Sequence, residues 1–219
     1  MFTKDGDTVL DPFVGVGSTL KACAVTRRNG IGIELNPTFV ALAEKRLEVE
    51  LPNDHDRSGL RLYEGDVREI APQLLPASIG YIVTSPPYWG ILNKIDHKAR
   101  QERTDLGLKH NYGDDSADLA QVGSYGEFID VTSRVLSDLY ACLQPKRYMT
   151  VIVGDFRHKE RYFMYHSDLA TAIEKRKQFA LKGITVIHQK FKRVFPYGYP
   201  HAFVPNIHHQ YALTFQRVR

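Results

Sequence analysis

Short apolar runs alternate with amphipathic stretches through the first ninety residues of the chain. The apolar runs predict four buried strands, at residues 8–10, 31–33, 60–63 and 79–83. The stretches between them predict three helices, at residues 19–26, 37–50 and 67–75. Ser18 or Thr19 would cap the first helix, and Asn36, followed by a proline, would cap the second. A strand–helix repeat of this kind requires a parallel sheet with helices on both faces.

The second half of the chain opens with a long irregular segment. Residues 91–123 show no period and are too long for an idle connection, so they predict an irregular insert that is either disordered or functional, in target recognition or as a lid. Beyond it the pattern predicts helices at 125–143 and 167–181, and strands at 148–154, 184–194 and 211–218. The last two strands would form an antiparallel edge. We therefore expect a single α/β domain over residues 1–219, with a doubly wound, mostly parallel sheet and an antiparallel C-terminal edge.

Composition narrows the class of protein. The 219 residues are 43% hydrophobic and 25% charged, which is typical of a globular domain. No run approaches the roughly 20 apolar residues of a membrane span, and no signal-peptide pattern is present, so we expect a cytoplasmic protein with no membrane partner. Cys23 and Cys142 are the only cysteines, which excludes a disulfide framework. No metal is expected, because the one tight histidine pair would point to opposite faces of a strand.

The net charge of +4 is unevenly distributed. Residues 157–193 carry ten Lys and Arg side chains against three Asp and Glu. A basic segment of this kind fits a polyanionic partner, and it fits a solvated surface equally well.

A glycine-containing turn follows the first predicted strand. Gly15 and Gly17 permit a tight strand-to-helix turn and close approach of a ligand to the backbone. A dinucleotide-binding fingerprint would need a third glycine where Leu20 stands, so that interpretation fails. Acidic residues also end three successive strands: Asp11, Glu34 and Asp66. Together they predict an adenosine pocket along the carboxyl edge of the sheet, with Glu34 on the ribose and Asp66 on the adenine.

A stiff aromatic loop follows the fourth predicted strand, with the sequence Thr-Ser-Pro-Pro-Tyr-Trp-Gly at residues 84–90. Two prolines end the strand because neither can donate a ladder hydrogen bond. The loop presents a hydroxyl, unpaired carbonyls and two aromatic rings, which suits a flat polar group such as a nucleobase. Read alone, it is equally well a surface turn.

Together these motifs resemble those of AdoMet-dependent DNA amino-methyltransferases, which methylate an exocyclic nitrogen of cytosine or adenine. The resemblance covers nearly the whole chain except residues 91–123, and it includes the ending at residues 206–215. It implies a Rossmann-like fold, S-adenosyl-L-methionine (AdoMet) as cofactor and DNA as partner. It assigns cofactor binding to Asp11, Phe13, Gly15, Gly17, Ser18, Glu34, Asp66 and Val67. It assigns catalysis to Ser85, Pro86, Pro87 and Tyr88.

The resemblance also implies a mechanism. Hydrogen bonds from the amino group to the Ser85 hydroxyl and the Pro86 carbonyl would free the nitrogen lone pair for in-line attack on the methyl group. Tyr88, helped by Trp89, would stack on a base flipped out of the duplex. Serine at the first catalytic position favours cytosine N4 over adenine N6. Further substrate contacts are expected from Arg100, Arg103, His201 and His208.

Several alternatives stay open at this point. A similar catalytic loop serves RNA methyltransferases, and an inactive AdoMet-binding subunit of a methyltransferase complex would carry the same motifs. C5-cytosine methylation is excluded because neither cysteine follows a proline. The family normally has a helix before the cofactor loop, whereas nine residues precede Leu10 here, so we expect a fragment, a wall supplied by a partner, or an open pocket. A restriction endonuclease partner, an accessory chain and a homodimer are all compatible with the sequence.

Overall fold

The computed structural model describes residues 1–51, 57–90, 119–158, 161–194, 196–197 and 204–218. Seven strands form one sheet: β1 Thr8–Asp11, β2 Asn29–Glu34, β3 Leu60–Glu64, β4 Ile79–Thr84, β5 Leu143–Val153, β8 Phe179–His188 and β11 His209–Arg217. Their order across the sheet is β3-β2-β1-β4-β5-β11-β8. Strands β1 to β5 pair in parallel, and β11 pairs antiparallel to both β5 and β8. The expected doubly wound sheet with an antiparallel C-terminal edge is therefore confirmed.

Two small antiparallel strand pairs lie outside the main sheet: β6 Phe156–His158 with β7 Arg161–Phe163, and β9 Pro196–Tyr197 with β10 Val204–Pro205. The helices are α1 Ser18–Val25, α2 Pro37–Glu50, α3 Val67–Ile70, α4 Tyr125–Asp138 and α5 Tyr165–Lys175. No helix among the described residues is long and apolar enough to cross a membrane.

Strand β2 shows why helices cover both faces of the sheet. Successive residues of a strand point to opposite faces. A side chain at Gly30 would lie 2.9 Å from Leu20 of α1, so α1 packs closely against the glycine face. Ile33, on the other face, is fully buried in the main core together with Phe128 of α4 and Leu169 of α5.

Several predicted boundaries were wrong, and the backbone explains them. The helix predicted at 167–181 ends at Lys175, because Lys177 turns into the left-handed region (φ 63°) and β8 then begins at the buried Phe179. The strand predicted at 184–194 accordingly lies earlier. The long helix at 125–143 ends at Asp138 and continues as a 3-10 turn, and β5 begins five residues before its predicted start. The helix predicted at 67–75 ends at Ile70, also in a 3-10 turn.

Of the two predicted helix caps, one is confirmed and the other is wrong. Asn36 caps α2 as predicted, accepting a hydrogen bond from the Thr38 backbone N–H at 2.9 Å. Neither Ser18 nor Thr19 caps α1: Gly17 occupies the N-cap position in a left-handed conformation (φ 82°) without a side-chain cap. The predicted insert lies mostly outside the described residues, since only 119–123 of it are described. Its role stays a prediction.

Candidate active site

The turn between β1 and α1 has two glycines with different tasks. Both have positive φ, 54° at Gly15 and 82° at Gly17, where other residues are strained. A Cβ at Gly17 would lie 3.0 Å from the Ala43 side chain of α2, so this glycine allows the turn to pack against that helix. A Cβ at Gly15 would meet no atom of the described residues within 4 Å. The backbone at Gly15 is therefore open to a ligand.

Asp11 stabilises the turn between β1 and α1 through hydrogen bonds. Its carboxylate is buried and accepts hydrogen bonds from the Thr19 hydroxyl (2.6 Å), the Thr84 hydroxyl (2.7 Å) and the Phe13 backbone N–H (3.1 Å). Burial raises the pKa of Asp11, and these hydrogen bonds act in the opposite direction. Asp11 thus organises the loop instead of facing outward, and it connects that loop to the last residue of β4.

Glu34 is held in place by backbone groups at the end of β2. One carboxylate oxygen accepts from the Gly15 N–H and the other from the Asn36 N–H, both at 2.9 Å. Burial raises the pKa of Glu34, again opposed by these hydrogen bonds. A carboxylate has about four acceptor positions, so the fixed Glu34 side chain can still accept a hydrogen bond from a ligand hydroxyl group.

Asp66 has a partner that the sequence interpretation missed. It caps α3 by accepting from the Arg68 backbone N–H at 2.8 Å, and its carboxylate also forms an ion pair with the Arg68 side chain. Val67 is buried beside it, while Ser18 is exposed at the start of α1. An adenine amino group at Asp66 would compete with Arg68. The spacing of two residues was the available signal, because an arginine there can fold back onto a helix-capping acid.

The loop after β4 is fixed to the end of β5 at two points. The Ser85 hydroxyl donates to the Ile152 carbonyl at 3.0 Å, and the Tyr88 hydroxyl accepts from the Gly154 N–H at 2.8 Å. Pro86 is buried, whereas Ser85 is exposed. Burial raises the pKa of Tyr88, so its hydroxyl stays protonated near neutral pH. The loop therefore presents the serine to solvent on a rigid frame.

Trp89 lies in an aromatic cluster instead of standing free. Its ring centroid is 5.0 Å from His158, 5.7 Å from Tyr125 and 5.9 Å from Phe163, and its Nε1–H donates to the Val122 carbonyl at 2.8 Å. Strands β6 and β7 supply part of this cluster. The sequence indicated a basic segment here but not an aromatic cluster, because its aromatic residues are buried by partners distant in sequence.

Asp155 forms a set of hydrogen bonds near the site that the sequence did not predict. It directly follows Gly154, and its nearly buried carboxylate accepts from the Tyr162 hydroxyl (3.0 Å) and the His166 backbone N–H (3.2 Å). The Nδ1 atom of His166 lies 2.7 Å from the same carboxylate, and its ring stacks on Tyr211 at 3.8 Å. Asp155 thus joins β5, the β6–β7 hairpin and α5 beside the Ser85 loop.

The remaining predicted residues are only partly placed. Pro87 is half-buried in the loop, and Phe13 packs against the main core. His208 lies just before β11, with its ring edge-on to His188 at 5.4 Å. Arg100, Arg103 and His201 lie outside the described residues. Within the described part of the chain, no group of three or more His, Cys, Asp or Glu side chains could hold a metal ion.

Comparison with known proteins supports the interpretation of the first strand and turn. Residues 1–45 match the N6/N4 methyltransferase family described as DNA methylase. Fifty residues are 42% identical to Type II methyltransferase M.MjaI of Methanocaldococcus jannaschii, and 51 residues are 49% identical to M.Cfr9I of Citrobacter freundii. Each match covers 23% of this chain, but only 16% and 17% of the respective relative. The chain thus matches less than a fifth of either relative's length.

The fold has counterparts among solved structures. A SAM-dependent methyltransferase from Methanosarcina mazei aligns over 99% of this chain and 95% of its own, with a TM-score of 0.55 and 13% identity. At that identity the likeness shows the fold alone. The chain therefore has a Rossmann-like methyltransferase fold, and its resemblance to DNA amino-methyltransferases is confirmed over its N-terminal segment.

Proposed function

We propose that this protein transfers a methyl group from AdoMet to the exocyclic amino group of a DNA base, with cytosine N4 favoured over adenine N6. The observation that carries the proposal is the 2.7 Å hydrogen bond from Thr84 to Asp11. It joins residues 73 positions apart and brings the Ser-Pro-Pro-Tyr loop against the glycine turn. A methyl donor held over that turn would lie next to a base held by the loop, as direct transfer requires.

The residues of the glycine turn fit the cofactor. The Gly15 backbone is open, and the Glu34 carboxylate is already oriented and keeps acceptor capacity for the ribose. Phe13, Gly17, Ser18, Asp66 and Val67 would complete the site, with Arg68 displaced from Asp66 or sharing it. AdoMet would supply an electrophilic methyl group on its sulfonium sulfur.

Ser85 is oriented to accept a hydrogen bond. Because its hydroxyl proton is donated to the Ile152 carbonyl, its lone pairs point toward solvent and are available to an amino N–H of the base. Together with the Pro86 carbonyl it would favour a tetrahedral nitrogen, whose lone pair attacks the methyl carbon while the carbon–sulfur bond breaks. The nitrogen then releases one proton to water. The catalytic contribution is orientation and electrostatics, with no covalent intermediate.

Tyr88 and Trp89 take different roles in this proposal. Tyr88 is anchored through its hydroxyl, with its ring edge-on to Phe156 at 6.4 Å, so it would form a fixed wall against the flipped base. Trp89 is held on several sides by its cluster and would act by keeping the loop rigid. This revises the expectation that both rings stack on the base.

The choice of base rests on the serine. The resemblance associates a serine at this position with cytosine N4, and the Ser85 hydroxyl, whose proton is donated to Ile152, is an uncharged acceptor there. The Type II relatives support a DNA amino-methyltransferase of either specificity.

The test is mass spectrometry of nucleosides from duplex DNA and, separately, RNA treated with the protein and AdoMet. We expect N4-methylcytosine in DNA, and a reduction of about 100-fold or more for Ser85→Ala. Ser78→Ala is the matched control, because Ser78 also donates to a carbonyl (Leu75, 2.7 Å) but precedes β4 at the opposite edge of the sheet. N6-methyladenine would reverse the base assignment. Product in RNA only, or equal activity of Ser85→Ala and Ser78→Ala, would overturn the proposal.

A further inference from the structure

The C-terminal part of the chain carries positive charge without any negative charge. Residues 175–219 contain nine Lys and Arg side chains and no Asp or Glu. The first 174 residues contain 20 basic and 25 acidic side chains, so the charge of the whole protein is strongly polarised along the sequence. Such a distribution is the electrostatic footprint of a polyanion-binding surface if the fold concentrates it in one place.

The fold concentrates part of it at the end of β8, a feature we name the β8 tip and define as residues 188–194. Strand β8 runs parallel to β5, since both pair antiparallel to β11. The carboxyl end of β8 therefore lies at the same edge of the sheet as Gly154 and the Ser85 loop. In the register, His188 pairs with His209, two residues before Tyr211, which pairs with Val153 of β5.

Hydrogen bonds fix the backbone of the β8 tip. The Gln189 N–H donates to the His208 carbonyl at 2.9 Å, and the Lys192 N–H donates back to the Gln189 carbonyl at 2.9 Å. The Asn206 side chain donates to the Arg193 carbonyl at 3.0 Å. These bonds fasten the tip to the chain entering β11, which itself reaches the Tyr88 hydroxyl through Gln210 (3.5 Å).

The side chains of the tip face solvent. Lys190, Lys192 and Arg193 are exposed, and none forms an ion pair with a described residue. Phe191, between them, is 80% exposed. Three cations with no ion-pair partner among the described residues flank an exposed ring, and together they provide the phosphate contacts and stacking surface found in nucleic-acid-binding sites.

The distance between the β8 tip and the catalytic loop can be expressed as a number of base pairs along a duplex. β8 is three strands from β4 in the sheet, which at about 4.8 Å per strand is roughly 14 Å. With one phosphate per about 3.4 Å of each strand, this corresponds to about four base pairs from a base held at Ser85. We propose that the β8 tip binds the phosphate backbone of duplex DNA flanking the target base. This assignment rests on the proposed function.

The test compares two triple variants of equal charge. Lys190→Gln/Lys192→Gln/Arg193→Gln removes the tip cations. Lys146→Gln/Lys175→Gln/Lys177→Gln removes three exposed cations at the opposite edge of the sheet, near the start of β5 and β8. Fluorescence anisotropy with a labelled duplex is measured for both variants and for the wild type over a range of salt concentrations.

For the tip variant we expect duplex affinity to fall by about tenfold or more. The slope of log K against log salt concentration should become less negative by about 2 to 3, because each phosphate contact contributes roughly 0.9 to its magnitude. The control variant should keep a near wild-type slope, and both should keep wild-type AdoMet affinity. In methylation assays the tip variant should show a raised KM for DNA with its kcat retained.

The proposal would be overturned by equal affinities and slopes for the two variants, or by tip-dependent binding of duplex RNA but not duplex DNA. The binding assay needs no catalysis, so its outcome is separable from the proposed function. If the wild-type protein forms no methylated nucleoside but still binds DNA through the tip, the proposed function is refuted and the tip proposal stands. If the wild-type protein methylates DNA and the tip substitutions have no effect on binding, the proposed function stands and the tip proposal is refuted.

Discussion

The two halves of the candidate site are held together by contacts of very different range. In the cofactor half, formed by β1, α1 and β2, Asp11 bonds to Phe13 two residues away and Glu34 to Asn36 at the same separation. In the catalytic half, formed by residues 84–90 and the end of β5, Ser85 bonds to Ile152 and Tyr88 to Gly154, across 67 and 66 residues. The bonds within the first half span 2 to 19 residues, and the Asp11–Thr84 bond links that half to β4, whereas the second half exists only once the sheet has assembled.

This difference predicts where substitutions act. A change in the cofactor half should alter ligand affinity while the fold survives, because the strand pairs around it remain. A change in the catalytic half should alter stability together with activity, because its hydrogen bonds are also long-range contacts of the fold.

The largest effect is expected at Glu34. Glu34→Ala removes the proposed ribose acceptor and the carboxylate to which the Gly15 and Asn36 N–H groups donate. Hydrogen bonds to charged groups are worth about 1.5–3 kcal/mol, so AdoMet affinity should fall on the order of 100-fold by calorimetry. Glu64→Ala is the control, since Glu64 pairs with Glu34 in the register but is exposed. A loss below threefold at Glu34 would contradict the assignment.

Cofactor affinity should also depend on pH through the same residue. Burial raises the pKa of Glu34, so as the pH falls toward that raised pKa the carboxylate takes up a proton and loses acceptor capacity. AdoMet affinity should then fall by up to about tenfold per pH unit below the raised pKa. Glu34→Gln should bind weakly with a flat profile over the same pH range. An unchanged slope in that variant would assign the titration to another group.

The stability of the unliganded protein should change with pH in the opposite direction. A carboxyl group with a raised pKa in the folded state opposes folding once it is ionised. The free energy of unfolding should therefore decrease as the pH rises from the ordinary pKa of Glu34 through its raised value. Asp11 contributes with the same sign, so urea titrations of Glu34→Gln should keep part of this decrease.

Tyr88→Phe tests the catalytic half of the site. It keeps the ring but removes the acceptor of the Gly154 N–H, which should lower the free energy of unfolding by about 1–2 kcal/mol in urea denaturation. It should also reduce kcat, because the loop loses one of its two attachments to β5. Tyr63→Phe, on the exposed end of β3, should leave both quantities unchanged. A stable but inactive Tyr88→Phe would mean that the hydroxyl acts directly in catalysis.

The smallest effect is expected for Trp89→Phe. This change removes the hydrogen bond to Val122 but keeps an aromatic ring in the cluster, so we expect a loss of about 1 kcal/mol in the free energy of unfolding. The KM for DNA should stay within about twofold of wild type, measured by steady-state methylation. A large rise in KM with unchanged stability would restore the expectation that Trp89 stacks on the base.

The sequence predicted best those features that depend on neighbouring residues. The Asn36-Pro37 start of α2 and the first four strands follow from local caps and apolar runs, and the structure has them near the predicted positions. It failed at residues 176–178, where no local signal marks the left-handed turn at Lys177. It also missed the β6–β7 hairpin, since Phe156 and Phe163 become core residues only when Trp89 and Tyr125 cover them.

The candidate site shows the same division. The chemical groups can be read from the residues alone: glycines for an open turn, acids at the ends of strands, and a serine, a proline carbonyl and a tyrosine in one loop. How those groups are used follows from the tertiary structure. Asp11 turns inward to bind Thr84, the Ser85 proton is donated to Ile152, and Trp89 is enclosed by its cluster. Hydrogen-bond partners distant in sequence become available only when the sheet sets strands β1, β4 and β5 side by side.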